Sequence, residues 1–122
     1  HYGFDIEDSC NAILIKAKKP EEFYAMFCVL GANRLDVNHK AKKAMEAKRV
    51  SFASREEAEA VTGQIYGGIS PLGLPENIKV YMDKNVTDRE KLFIGAGNRV
   101  SKFFLSPETL IDLSSAKVLD LT

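Results

Sequence analysis

The run from Phe23 to Leu30 most constrains the fold, because any strand it forms carries apolar side chains on both faces. Such a strand is typical of the centre of a sheet that is covered on both sides. A shorter apolar run, Asn11 to Ile15, precedes it, and the polar segment between the two carries Pro20. The pattern predicts a hairpin whose second strand is central to the sheet.

Capping residues predict three short helices among the strands. Ser54 and Glu57 form a capping box, because each side chain can accept a hydrogen bond from the backbone N–H of the other residue. The helices are predicted at about 36–47, 54–63 and 106–113, and further strands at 49–52, 78–83, 92–94, 103–105 and 118–121. With about six to seven strands and no strict alternation of strand and helix, the sequence predicts an α+β fold around a curved, mixed sheet.

Size and composition are those of one globular domain, which we expect to span residues 1–122. The 17 Lys and Arg residues balance 17 Asp and Glu residues, so no overall field attracts nucleic acid and any such binding must be local. No apolar run approaches the ~20 residues that cross a bilayer, and the first residues do not form a signal sequence. We therefore expect a cytoplasmic protein without membrane contact.

The two cysteines, Cys10 and Cys28, lie in apolar stretches predicted as strands. Neither has neighbours at metal-ligand spacing, and buried free thiols are favoured over a disulfide in a reducing compartment. We expect neither a metal nor a cofactor. His39 is the only internal histidine and has no evident serine or cysteine partner, so nucleophilic catalysis finds little support.

Glycine-rich turns give the strongest local signal for a site. The loop Gly67 to Pro71 can bring backbone N–H groups close to a ligand, where they could hold a carbonyl oxygen or a phosphate. Gly95 to Gly97 could form a second wall of the same pocket. Each turn by itself is also consistent with a tight connection. No Gly-Lys-Ser/Thr follows, which excludes a Walker loop.

A basic stretch, His39 to Arg49, could contact a nucleic-acid backbone through Lys40 and Lys43. The alternative is a solvated helix face. No aromatic residue interleaves with these lysines, so base stacking along this stretch is not indicated.

Several motifs together resemble the YbaK-type aminoacyl-tRNA editing family, the trans-acting relatives of the editing domain inserted in bacterial prolyl-tRNA synthetases. The order and spacing of the motifs are more specific than any one of them. They are Phe27 to Leu30, Lys48 to Ala53, Thr62-Gly63, the Gly-Gly-Ile-Ser-Pro-Leu-Gly stretch at 67–73, a strand ending in Asp83, and Ile94 to Gly97.

The resemblance implies a pseudo-barrel that hydrolyses the ester between a wrong amino acid and the 3′ adenosine of mischarged tRNA, without a metal. An aminoacyl-tRNA synthetase is a further candidate partner. The implied oxyanion and pocket loop is Gly67, Gly68, Ile69 and Ser70, and the implied substrate-binding residues are Pro71, Gly95, Ala96, Gly97 and Arg99. In this family a hydroxyl of the substrate's own ribose or a side-chain group, with water, carries out the attack.

Asn11 is a departure from the family, because it aligns with a functional lysine on the first strand. Asparagine can donate a hydrogen bond and orient a substrate, but it has no charge for a phosphate. Either another cation such as Lys16, Lys102 or Arg99 serves, or the substrate differs, or the domain binds tRNA or a nucleotide without hydrolysis. A purely structural or protein-interaction domain is a third alternative. The family's N-terminal helical lead-in has no counterpart before Ser9, so a wall of the pocket is expected to be missing.

Overall fold

A computed structural model describes residues 9–95 and 102–122, with the backbone alone described at 102 and 103. The described strands are β1 Cys10–Lys19, β2 Phe23–Leu30, β3 Arg49–Phe52, β4 Lys79–Asp83, β5 Leu92–Gly95, β6 Lys102–Leu105 and β7 Lys117–Leu119. The described helices are a π-helical turn Val37–Ala41 that continues into α1 Lys42–Ala44, then α2 Arg55–Thr62, a 3-10 helix Lys84–Asp88 and α3 Pro107–Ser114.

A five-stranded mixed sheet in the order β3-β1-β2-β4-β7 forms the body of the fold. β1 is antiparallel to β2 and β3, whereas β4 is parallel to β2 and β7. β5 and β6 form a separate antiparallel pair. The predicted α+β fold with a mixed sheet and short flanking helices is confirmed.

β2 is the central strand, as predicted. Met26 and Cys28 face one hydrophobic core, and Phe27 and Val29 face another on the opposite side of the sheet. All four side chains are buried because both faces of the sheet are covered. The apolar character of both faces of this strand therefore follows from its position in the sheet.

The helical segment at 36–47 is shorter and less regular than predicted. Asp36 caps it by accepting a hydrogen bond from the His39 N–H at 3.2 Å, but the α-helical part ends at Ala44. Glu46 follows with φ of 52°, a left-handed conformation that stops a helix. The last strand also ends earlier than predicted, at Leu119, because the Leu121 N–H donates instead to the Asp83 carboxylate at 2.8 Å.

Within residues 9–95 and 102–122, no helix combines the length and apolar character needed to span a bilayer. Cys10 and Cys28 are buried free thiols, which confirms the prediction. A hydrogen bond with Cys10 and burial together raise the pKa of Cys28, the hydrogen bond having the larger effect, so Cys28 stays protonated.

Candidate functional site

The candidate site lies along the edge of β1 that faces away from β2. Two backbone hydrogen bonds define this edge: the Gly31 N–H donates to the Ser9 carbonyl on the β2 side at 2.8 Å, and the Ala53 N–H donates to the Leu14 carbonyl on the β3 side at 3.1 Å. Backbone groups of successive strand residues point to opposite edges. From Cys10 to Lys16, before the register shift between Ala17 and Lys19, the even-numbered residues of β1 therefore present their N–H and C=O groups to the edge away from β2.

This edge has an opening at Ala12. β3 covers the edge as far as Leu14, and β5 reaches it again at an isolated parallel bridge between Ser9 and Phe93. Ala12 lies between these two points, and no strand in the described residues pairs with it on this edge. Its N–H and C=O groups therefore face the opening.

A cavity of about 370 Å³ occupies this opening. Its volume is at the lower end of the ~300–1,000 Å³ typical of ligand pockets. β1, β3, α2, the glycine loop and β5 supply the lining residues, which are Ser9, Cys10, Asn11, Ala12, Ile13, Leu14, Phe52, Ala53, Ala58, Tyr66, Gly67, Gly68, Ile69, Phe93 and Gly95. The structure thus brings together Asn11, one end of the predicted loop and the first residue of the predicted second wall.

The glycine loop is held from inside by Gln64. The Gln64 side chain accepts a hydrogen bond from the Ser70 N–H at 2.6 Å and donates to the carbonyls of Ser70 and Leu72, both at 3.2 Å. The Ser70 hydroxyl in turn accepts from the Leu72 N–H at 3.1 Å, and Ser70 is buried. Sequence reasoning missed Gln64, and the only available signal was a polar residue directly after the Thr62-Gly63 helix end.

The amides of the loop divide into two groups. The Gly68 N–H donates to the Ile65 carbonyl at 3.1 Å, and the Ser70 N–H is taken by Gln64, so neither is free for a ligand. The Gly67 and Ile69 N–H groups donate to no atom in the described part of the chain. Both belong to residues that line the cavity, and Gly67 has φ of 96°, which favours glycine.

Gly95 packs directly on the glycine loop. A Cβ atom at this position would contact the Gly68 carbonyl oxygen and lie 2.6 Å from its carbonyl carbon. Glycine is therefore required where β5 and the loop meet. The other predicted residues of this wall, Ala96, Gly97 and Arg99, lie outside the described residues.

Asn11 is exposed, and its side chain forms no hydrogen bond with a described residue. Lys16, one of the cations considered in place of the family lysine, donates to the Glu57 carboxylate at 2.6 Å, and Tyr24 donates to the same oxygen at 3.1 Å. The Lys16 hydrogen bond is the main reason that the pKa of Glu57 falls to about 2. The same hydrogen bond raises the pKa of Lys16. The ammonium group of Lys16 is therefore paired with Glu57 of α2.

Pro71, Lys40 and Lys43 line a second and larger groove of about 1270 Å³. Pro71 is fully buried on this side of the loop. Lys40 forms an ion pair with Asp120 at 3.1 Å, while Lys43 forms none with a described residue. The predicted site residues thus fall into two cavities, with Gly67 to Ile69 lining the smaller one and Pro71 the larger one.

No group of three or more His, Cys, Asp and Glu side chains that could hold a metal ion occurs in the described ranges. The residues that line the smaller cavity supply backbone N–H and C=O groups and the polar side chains of Ser9, Cys10, Asn11 and Tyr66. Such groups can orient a ligand and stabilise negative charge on an oxygen.

Comparisons with known proteins identify several relatives of this chain. The EbsC protein of Enterococcus faecalis, described as a candidate Cys-tRNA(Pro)/Cys-tRNA(Cys) deacylase, is 29% identical over 92 residues, which cover 75% of this chain and 56% of that protein. The proline–tRNA ligase of Nautilia profundicola is 35% identical over 107 residues, 77% of this chain and 18% of the ligase. The chain thus spans just over half of EbsC and a small part of the ligase.

A solved structure, described as a candidate trans-editing enzyme for prolyl tRNA synthetase, superposes with a TM-score of 0.88 at 26% identity. The match covers 98% of this chain and 73% of that one. The family model of the aminoacyl-tRNA editing domain matches residues 1–113. Because this match takes in both the β1 edge and the glycine loop, the chain belongs to the aminoacyl-tRNA editing domain family.

Proposed function

We propose that this chain hydrolyses the ester bond of mischarged aminoacyl-tRNA, acting in trans. The observation that carries the proposal is the cavity in which the glycine loop, with two N–H groups that bind no other described atom, lies beside the exposed side chain of Asn11. A cavity of about 370 Å³ suits an aminoacyl group with part of its adenosine.

In the proposed reaction, water adds to the carbonyl carbon of the ester and the bond to the ribose oxygen breaks. The ribose oxygen leaves with a proton that comes from the water. The carbonyl oxygen gains negative charge as the water adds. The N–H groups of Gly67 and Ile69 would stabilise this charge, as preorganised donors do in other acyl-transfer sites. Gly68 and Ser70 would shape the loop, while Asn11 would orient the substrate.

Gly95 and the residues that follow it in the sequence, Ala96, Gly97 and Arg99, are the other proposed substrate-binding residues. Pro71, which is buried and lines the larger groove, would help to fix the shape of the loop. Lys40 and Lys43 would contact the tRNA backbone beyond the acceptor end. Lys79 and Lys117 also line this groove, together with the carboxylates of Glu46, Glu76 and Asp120, so its lysines outnumber its acidic residues by one.

The proposed substrate is a tRNA that a synthetase has charged with a small noncognate amino acid. The similarity to proline–tRNA ligases makes tRNA(Pro) the first tRNA to test, and the similarity to EbsC makes cysteine the first amino acid. The proposed site of action is the cytoplasm, where tRNA is charged. A prolyl-tRNA synthetase is the proposed partner, since it releases the substrate.

The experiment is a panel of tRNA(Pro) molecules charged with alanine, serine, threonine or cysteine. Release of at least one amino acid well above the rate in buffer supports the proposal. Release at the buffer rate from all four would refute it.

The presence of asparagine at position 11 favours a second candidate function, which is binding of the tRNA end without hydrolysis. This position lacks the lysine charge, and Lys16 cannot supply it because Glu57 holds its ammonium group. Under this alternative, uncharged tRNA binds with a steep salt dependence and no amino acid is released.

A further inference from the structure

We propose that the backbone of Ala12 binds the aminoacyl group of the substrate as a one-residue strand pairing; this rests on the proposed function. An exposed strand edge pairs with an added extended segment through backbone N–H and C=O groups. An amino acid in extended conformation carries its amino group and its carbonyl oxygen on the same edge. Ala12 presents the complementary pair at the cavity.

The size of the opening matches a single amino acid. On one side, the Leu14 carbonyl is taken by the Ala53 N–H. On the other side, a parallel bridge joins Ser9 and Phe93, while the Ser9 carbonyl points to β2. A parallel bridge forms its hydrogen bonds through the residues that flank one partner, so this bridge engages the backbone of Cys10. Backbone groups on one edge recur every second residue, so Ala12 is the residue between them whose N–H and C=O groups both have no partner in the described part of the chain.

The two hydrogen bonds would have different roles. The Ala12 carbonyl would accept from the α-ammonium group of the substrate, and a hydrogen bond from a charged donor is stronger than a neutral one. The Ala12 N–H would donate to the ester carbonyl oxygen and add a donor from β1 to those of Gly67 and Ile69. The ester would thus lie between β1 and the loop.

Side chains beside the opening agree with this placement. Asn11 and Ile13 lie on one face of β1, and Phe52 lies on the same face because it is paired with Ile15. Gly67 to Ile69 line the cavity from the loop. The adenine ring also carries a hydrogen-bond donor next to an acceptor and could pair with Ala12 in the same way. The test therefore includes an analogue that lacks the adenine amino group.

The direct test uses 3′-alanylamino-3′-deoxyadenosine, in which an amide replaces the hydrolysable ester, and follows hydrogen–deuterium exchange by NMR. In the free protein the Ala12 amide should exchange faster than those of Asn11 and Ile13, whose N–H groups face β2. Saturation with the analogue should slow exchange at Ala12 by about tenfold or more. Unchanged exchange at Ala12 under saturation would overturn the proposal.

Two altered analogues identify which part of the ligand Ala12 binds. The 3′-propionylamino analogue lacks the α-amino group and should bind about tenfold more weakly. The alanylamino analogue of purine riboside lacks the adenine amino group and should still protect Ala12. The proposal would be overturned if the propionylamino analogue bound as tightly as the alanylamino analogue. It would also be overturned if the purine riboside analogue failed to protect Ala12, because adenine would then be the group that Ala12 binds.

Ala12→Pro removes the N–H group and should be tolerated, since this N–H is not part of the β2 ladder and proline occurs at open strand edges. We expect kcat/KM for the amino acid that the panel identifies to fall about tenfold. Ala12→Ser retains the N–H group, so its kcat/KM should fall less than that of the proline variant. Unchanged turnover in the proline variant would refute the role of Ala12 while leaving the deacylase function intact. Protection of Ala12 by the analogue without any turnover would support the pairing and refute the deacylase.

Discussion

Gly95 and Gly68 meet backbone to backbone, so closely that a Cβ atom at position 95 would lie 2.6 Å from the Gly68 carbonyl carbon. Through this contact β5 packs on the glycine loop, whose residues Gly67 and Ile69 line the cavity. A methyl group cannot be accommodated without moving one of the two backbones, because the atoms in its way are not those of a flexible side chain.

Gly95→Ala should therefore destabilise the fold by ~1–3 kcal/mol, as overpacking does, and should displace the loop and slow deacylation. Urea denaturation and single-turnover deacylation measure the two effects. Gly31→Ala is the matched control, since its nearest contact would be an ordinary 3.4 Å to the Ser9 Cβ. Full stability and activity in Gly95→Ala would contradict the described contact.

Gln64→Leu should distort the glycine loop while keeping the side-chain size similar. It leaves the buried Ser70 N–H without its acceptor at 2.6 Å, which costs ~1–3 kcal/mol. Deacylation should fall with the loss of order in the loop. Asn77→Leu, at an exposed position with no hydrogen bond to a described residue, is the control. Equal stability of the two variants would show that Gln64 does not hold the loop.

The ion pair of Lys16 and Glu57 should contribute to stability in a pH-dependent way. The pKa of Glu57 is lowered from 4.5 to about 2. A carboxyl group with a lowered pKa contributes stability above its unfolded pKa and loses it as the pH falls toward the folded value. Wild type should therefore be more stable than Glu57→Gln at pH 6, and the difference should shrink between pH 4.5 and pH 2.

Thermal unfolding at a series of pH values measures this difference. Glu56→Gln is the control, because Glu56 forms no ion pair with a described residue. A difference between wild type and Glu57→Gln that stays constant from pH 6 to pH 2 would show that the ion pair is absent in solution.

Lys40→Gln with Lys43→Gln should weaken tRNA binding and reduce its salt dependence. Removing one lysine–phosphate ion pair lowers the slope of log K against log salt by about 1. Filter binding at several salt concentrations gives the slope, and Lys18→Gln, at an exposed position of β1, is the control. If the double variant keeps the wild-type slope, the solvated-face interpretation of these lysines holds.

The fold was largely predictable because its signals are local. Apolar residues on both faces of Phe23–Leu30 indicate a central strand, and the capping box forms as expected, with the Ser54 N–H donating to Glu57 at 2.9 Å and the Glu57 N–H donating to Ser54 at 3.1 Å. The segment at 36–47 was less predictable, since the left-handed conformation of Glu46 depends on the surrounding packing.

The site was only partly predictable, because its geometry is set by contacts between distant segments. Glycine content indicates the loop, but the sequence does not indicate which of its amides are taken by Gln64. The opening at Ala12 arises because β3 ends beside Leu14 and β5 returns at Ser9, and no sequence pattern marks the position where two strands leave a third unpaired.

Single-turnover deacylation of mischarged tRNA(Pro) by wild type and by Gly67→Val tests the central proposal most directly. A valine at position 67 is strained at φ of 96° and places a side chain at the cavity. We predict that wild type releases alanine, serine, threonine or cysteine well above the buffer rate and that Gly67→Val, if folded, does so at the buffer rate. Equal release by both proteins, or none by wild type, would contradict a hydrolytic site built on this loop.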